Sequence, residues 1–234
     1  MRVSFNQPAF IPWGGFYARL LNSDLMILLD ETQFARGFTF VNRNRLKGPQ
    51  GEIWVTVPVK KKDLGFQKIN QLRIHQPEKW SENFLSMLRH YYGRSLYFGE
   101  TYEKLTENFR EASENFPKLA LSIIHLIGDN LGIKTPVGLQ SETGINLKGA
   151  KLLIDLAKQT GAKEVLLPYL ADRHLDLDEF VRAGLKVSFL RYNQLPYPQF
   201  WGDFIANLSA LDLFLCCGPD GIKVINKSSR VVQK

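Results

Sequence analysis

The stretch "MRVSFNQPAFIPWGGF", residues 1–16, runs from a short apolar start into two prolines, a tryptophan and two glycines. Residues 1–5 read as a strand. From about Gly15 to Asn22, Phe16, Leu20 and Leu21 fall on one helical face. The loop between them, "NQPAFIPWGG", carries special backbone: Pro8 and Pro12 fix φ, and Gly14 and Gly15 admit close approach of a ligand or of the next helix. The following "LMILLD" (25–30) is an apolar run ending in an acid, the pattern of a strand buried on both faces.

Working outward, the alternation recurs near the other end. "TPVGL" (135–139) reads as a strand, "INLKGAKLLIDLAKQTGA" (145–162) as an amphipathic helix and "EVLLP" (164–168) as an apolar strand. "LDLDEFVRAG" reads as a short helix and "KVSFLRY" (186–192) as a strand. Strands alternating with helices over short connections predict a Rossmann-like α/β fold, a mainly parallel sheet flanked by helices. "EIWVTVPV" (52–59) and "INQLRI" (69–74) add two strand patterns. Residues 78–132 are helical throughout, a possible insertion or subdomain of a single domain spanning 1–234. A closing helix is expected over 206–218 with Asn207 near its N-cap, followed by a loose basic tail in which Lys227 and Lys234 are solvated.

Composition bounds the function. With 44% hydrophobic and 23% charged residues, the chain is an ordinary globular sequence. No apolar run approaches the roughly 20 residues that span a bilayer, and the N-terminus has no apolar leader. The two cysteines, Cys216 and Cys217, are adjacent, which suits neither a bridge nor a metal site and points to a reducing, cytoplasmic compartment. No metal-ligand spacing and no G-x-S-x-G turn occurs. The net charge of +7 reads either as a solvated surface or as a surface for phosphates. "NRNRLK" (42–47) and "VKKKD" (59–63) hold much of it.

In open α/β sheets, ligands bind at the carboxyl ends of the strands, where "NQPAFIPWGG" lies. Asp30 ends the second strand at the same edge, with Gln33 close behind. A carboxylate partly buried there can have its pKa raised and serve as a base; a capping or ion-pairing role explains it equally well.

"NQPAFIPWGGF", "ILLDETQF", "NRNRLK" followed by "WVTVPVKKK", and "YPQFWGDFIANLSALDLFLCCGP" together resemble the WbqC-like protein family over nearly the whole chain, in order. The resemblance implies a role in bacterial O-antigen and surface-polysaccharide synthesis, with transfer of glycine or another small acyl group onto a sugar. It falls on Gln7, Pro8, Pro12, Trp13, Gly15, Asp30, Gln33, Asn42, Arg43, Asn44, Pro58, Tyr197, Gln199, Ser209 and Asp212. Where the family usually has histidine before Gln-Pro, this chain has Asn6, which can hydrogen-bond but not carry a proton near neutral pH. "LLPYLADRHLD" (166–176) lacks the glycine-rich turn of relatives. The strand–loop–helix layout is also similar to nucleotidyltransferases and pantothenate synthetase, without their H-x-G-H turn.

Acyl transfer needs a base, donors for the oxyanion and cations for the activated donor. The candidates are Asp30 as base, with Gln7, Asn42 and Asn44 as donors and Arg43, Arg45 and Lys60 as phosphate ligands. Trp13 and Tyr197 can stack on a ring. Gln7, Trp13, Asp30 and Arg43 should converge on one pocket. The expected cofactor is a nucleotide or nucleotide-activated donor. The expected partners are a sugar nucleotide and an aminoacyl donor, tRNA included. The alternatives are a basic nucleic-acid- or tRNA-associated binding protein without catalysis, and a scaffold in a polysaccharide assembly complex.

Overall fold

A computed structural model describes every residue except Arg36, Phe38 and Lys234; Lys234 of the expected tail therefore lies outside the described residues. The core is a six-stranded sheet. Its strands are β1 (Arg2–Asn6), β2 (Leu25–Leu28), β5 (Val137–Leu139), β6 (Glu164–Pro168), β7 (Lys186–Tyr192) and β8 (Ser229–Val232), in the spatial order β5-β2-β1-β6-β7-β8. The first five are parallel and β8 is antiparallel at the edge. The four strands expected to be central thus lie in one mainly parallel sheet. From β1 the chain builds outward to β2 and β5, then returns to place β6 on the other flank of β1. The order reverses there, and that is where such sheets open a crevice.

Period-two alternation explains the two layers. Val3, Phe5, Val165, Leu167 and Phe189 face α5 (Gly149–Gln159) and α6 (Leu177–Arg182). Met26, Leu28, Leu166 and Leu190 face the other side, in one apolar cluster with α1 (Gly14–Leu21) and α7 (Ala210–Cys217). The helical middle forms α2 (Pro77–Tyr92), α3 (Phe98–Ala112) and α4 (Phe116–Asn130). Its buried Phe84, Leu105 and Ile123 join the same cluster.

Several local readings need correction. "NRNRLK", singled out above for its charge and not as a strand, forms most of strand β3 (Arg43–Gly48), paired antiparallel with β4 (Gly51–Thr56) in a separate two-stranded sheet. "INQLRI" is not a strand: Ile69–Gln71 is a 3-10 turn, and Arg73 and Ile74 make only isolated bridges, with Asn115 and Val59. Helix α5 starts at Gly149, four residues later than its apolar pattern. The N-cap of α7 is Ser209, not Asn207; the Ser209 hydroxyl accepts from Leu211 N at 3.1 Å. The tail is not loose: α8 (Gly221–Ser228) leads into β8, and Lys227 stays exposed on α8. Among the described residues, no helix is long and apolar enough to cross a membrane.

Candidate functional site

At the carboxyl end of β1 the loop 7–13 closes over a cavity of about 590 Å³. Its wall is mixed. Pro8, Pro12, Trp13, Phe16, Phe40 and Val41 supply apolar surface, while Asn6, Gln7, Asn44, Arg45 and Asn207 supply polar groups. No acidic residue lines it among the described residues, so the wall presents amide and guanidinium donors without a carboxylate.

The loop is held from three sides. Phe10 is fully buried and meets Trp80 and Phe84 of α2 edge-on, each at 5.5 Å, while its N–H donates to the Val41 carbonyl at 2.7 Å. Ile11 has φ +40°, a left-handed conformation costly for a β-branched residue. Its carbonyl is caught by Asn44 Nδ2 at 2.8 Å, and Asn44 Oδ1 accepts from Arg45 N at 2.9 Å. Buried Asn44 therefore ties the strained loop to β3.

The two glycines have a packing reason. A Cβ at Gly14 would overlap the Tyr192 hydroxyl, and one at Gly15 would come within 2.5 Å of the Trp13 indole. Trp13 in turn meets Tyr192 edge-on at 5.2 Å. The start of α1 is thus covered by aromatic rings rather than left open to an anion. Gly14→Ala should lose about 1–3 kcal/mol by overpacking. Urea denaturation checks it, and Tyr192→Phe in the same chain should recover part of the loss; a Gly14→Ala protein as stable as wild type would contradict this packing.

Behind the cavity sits Arg19, 7% exposed, on α1. One of its guanidinium N–H groups donates to Asn6 Oδ1, and its Nε has no hydrogen-bond partner among the described residues. No carboxylate pairs with it among the described residues. Burial pushes its pKa down to about 10, so it remains charged at neutral pH. An uncompensated buried cation costs stability. Because Arg19 holds Asn6 by its oxygen, Asn6 turns its Nδ2 the other way, where it donates to the Gln7 carbonyl at 2.8 Å.

The expected site residues fall into three places. Asn6, Gln7, Trp13, Asn44 and Arg45 line the cavity. Gln7 Nε2 is anchored on Thr32 at 3.0 Å. Arg45 is anchored on Glu52 at 2.6 Å and on the Asn207 carbonyl at 3.0 Å.

A second group gathers in a buried polar cluster. Tyr197 donates to Asp212 at 2.5 Å, and Gln199 accepts from Lys47 Nζ at 2.9 Å. Ser209 caps α7 nearby.

The third group stands outside the cavity wall. Asp30 is buried with both carboxylate oxygens on Ser141, at 2.9 Å to its N–H and 2.6 Å to its hydroxyl. It clasps β2 to the turn after β5. Asn42 donates to the Val57 carbonyl at 2.8 Å, Gln33 bridges to Lys68, and Lys60 pairs with Glu114 at 2.5 Å. Arg43 lies over the Trp54 ring at 4.2 Å. Of the four residues expected to converge, Gln7 and Trp13 share the cavity, and Asp30 and Arg43 do not line it.

The sequence profile of the WbqC-like protein family matches residues 7–224. The chain belongs to the WbqC-like family. It is also similar to an uncharacterized protein of Mycobacterium tuberculosis, 28% identical over 221 residues, which cover 94% of this chain and 95% of that protein. No solved structure matches it. The family match takes in both the cavity loop and the buried cluster. Reading residues by type missed Arg19, Lys47 and Tyr92. Arg19 looks like an ordinary surface position of an amphipathic helix, and Lys47 sits in a basic run. Only the fold shows that both are buried.

Proposed function

We propose that this WbqC-like protein is a transferase of surface-polysaccharide synthesis that moves a glycyl or similar small acyl group onto an aminosugar or sugar nucleotide held in the cavity. The observation that carries this reading is the buried Arg19 behind Asn6, which pairs with no carboxylate among the described residues. A charge kept at a cost to stability beside a cavity, with amide donors in front of it, suits stabilisation of negative charge on a bound or forming oxyanion. In the transfer, the sugar amine or hydroxyl attacks the acyl carbonyl, and charge builds on that oxygen as the bond forms. Asn6 and Gln7, each with a second amide N–H beyond the one spent on the Gln7 carbonyl or on Thr32, are the side chains proposed to receive it. The leaving group departs with the bonding electrons as the carbonyl reforms, and the attacking group's proton is lost to a base or to solvent. The apolar wall of Trp13, Phe16 and Phe40 holds a ring face and excludes water.

The test separates a functional charge from a structural one. Arg19→Met fills a similar volume without charge, so its stability should fall little or rise, while binding of sugar nucleotides should drop by at least about tenfold. Calorimetric titration and urea denaturation on the same protein read both. Sugar-nucleotide binding unaffected by Arg19→Met would overturn the assignment.

The nucleic-acid alternative relies on Arg45, Lys60, Lys61 and the tail. Arg45 and Lys60 are already paired with Glu52 and Glu114, which leaves less charge for a phosphate backbone. Binding to tRNA that falls steeply with salt would favour it.

A further inference from the structure

Strand pairing in the β3–β4 hairpin sets Arg45 directly across from Trp54, with Arg43 one pair further along the same face. The Arg43 guanidinium lies 4.2 Å from the Trp54 ring centre and that of Arg45 5.7 Å away. Phe40 stands 5.8 Å from the same indole, tilted by 39°. Phe40 is 47% and Trp54 37% exposed. Phe40 and Arg45 also line the cavity, so this aromatic and cationic wall is continuous with its mouth.

We infer that this rim is a nucleotide subsite: the base of a nucleoside diphosphate stacks against Phe40 and Trp54, and its diphosphate is drawn to Arg43 and Arg45. Four features favour that ligand. Phe40 and Trp54, 47% and 37% exposed beside the cavity, are rings of the kind on which a base stacks. The guanidinium over the indole fixes the ring in place, so little freedom is lost on binding. The cations lie beside the rings, and a base carries its phosphates a few ångströms from its plane. Glu52 already offsets part of the Arg45 charge, which suits a small, singly placed anion better than a long polyanion. The inference rests on the reading of the cavity as a sugar-nucleotide site and names its nucleotide end.

The experiment titrates the full chain with uridine, guanosine, adenosine and thymidine diphosphates, and separately with hexose 1-phosphates. Trp54→Ala should weaken binding of the preferred nucleoside diphosphate by about five- to a hundredfold. Trp54→Phe, which keeps a ring, should retain most of it. Hexose 1-phosphate binding should be the same in all three proteins. Thermal unfolding of Trp54→Phe guards against a folding defect. Equal nucleoside diphosphate affinity in Trp54→Ala and wild type would overturn the subsite. So would hexose 1-phosphate binding that is sensitive to Arg19→Met with no nucleoside diphosphate bound; that result leaves the cavity reading intact. Failure of wild type to bind either class would overturn both.

Discussion

Asp212→Ala is expected to cost about 3–5 kcal/mol, because it removes one member of a buried charged network and strands the others. Asp212 is fully buried, and its carboxylate accepts from the Tyr92 hydroxyl at 2.6 Å and the Tyr197 hydroxyl at 2.5 Å. The Tyr92 oxygen in turn accepts from Lys47 N at 2.8 Å. Lys47, itself buried, spends its Nζ on Gln199 and on the Gly202 and Asp203 carbonyls. Alanine leaves the buried Tyr92 and Tyr197 hydroxyls without an acceptor.

The same site sets a pH dependence. Burial pushes the Asp212 pKa above the ordinary carboxylate value, while the two tyrosines and Lys47 pull it part of the way back. The fold therefore favours the protonated acid. The stability this gives is complete below the ordinary carboxylate range and is lost as pH rises through the raised value. Urea midpoints followed upward from that range should fall in wild type, and that component should be missing from Asp212→Asn. An Asp212→Ala protein as stable as wild type, or a slope unchanged in Asp212→Asn, would contradict this account.

Asn44→Ala is the second large effect expected, and it should reach the cavity. Losing the side chain orphans the Ile11 carbonyl and the Arg45 N–H at once, at about 1–3 kcal/mol for each buried group. It also releases Ile11, whose left-handed backbone persists only while its surroundings enforce it. Asn44→Asp should be worse than alanine: it replaces the donor to the Ile11 carbonyl with a buried anion facing an acceptor. Both variants should lose cavity ligands along with stability, unlike Arg19→Met. Calorimetric titration beside urea denaturation checks the pattern. An Asn44→Ala protein within about 0.5 kcal/mol of wild type would show that the loop needs no such clasp.

The legible part of this chain was the part whose pattern is local. β2 and β6 are apolar runs that make sense as buried strands, and with the strand patterns of β1 and β7 next to helices they point directly to the parallel sheet. The hairpin was half visible: "EIWVTVPV" reads as a strand, but its partner "RNRLKG" is too charged to do so. It is a strand because its arginines lie along Trp54 and its lysine reaches residues 199, 202 and 203, far away in sequence. α8 and β8 were hidden for a similar reason. A half-exposed helix and edge strand carry polar residues, and Ile225 is the one large apolar side chain they bury. At the cavity, Gln7 and Trp13 are picked out by their place in a loop at a strand end, and Asn44 and Arg45 by residue type in the basic run "NRNRLK". Asp30 has the same signature, and nothing local shows that its oxygens are taken by Ser141. Arg19 and Lys47 were missed because burial of a long cation is a property of the fold.

The position of β1 also governs how the chain can be made. Arg2 and Ser4 pair with Glu164 and Leu166, so β1 leaves the ribosome long before a permanent neighbour arrives. At about 5–20 residues per second, β1 waits on the order of ten seconds or more with that flank unpaired. β2 covers only its other flank. The nascent sheet thus carries an open, apolar backbone edge through most of synthesis, a template for wrong pairing. The protein's yield in the cell is therefore expected to depend on elongation speed and on chaperones that shield that edge until residue 168 has emerged.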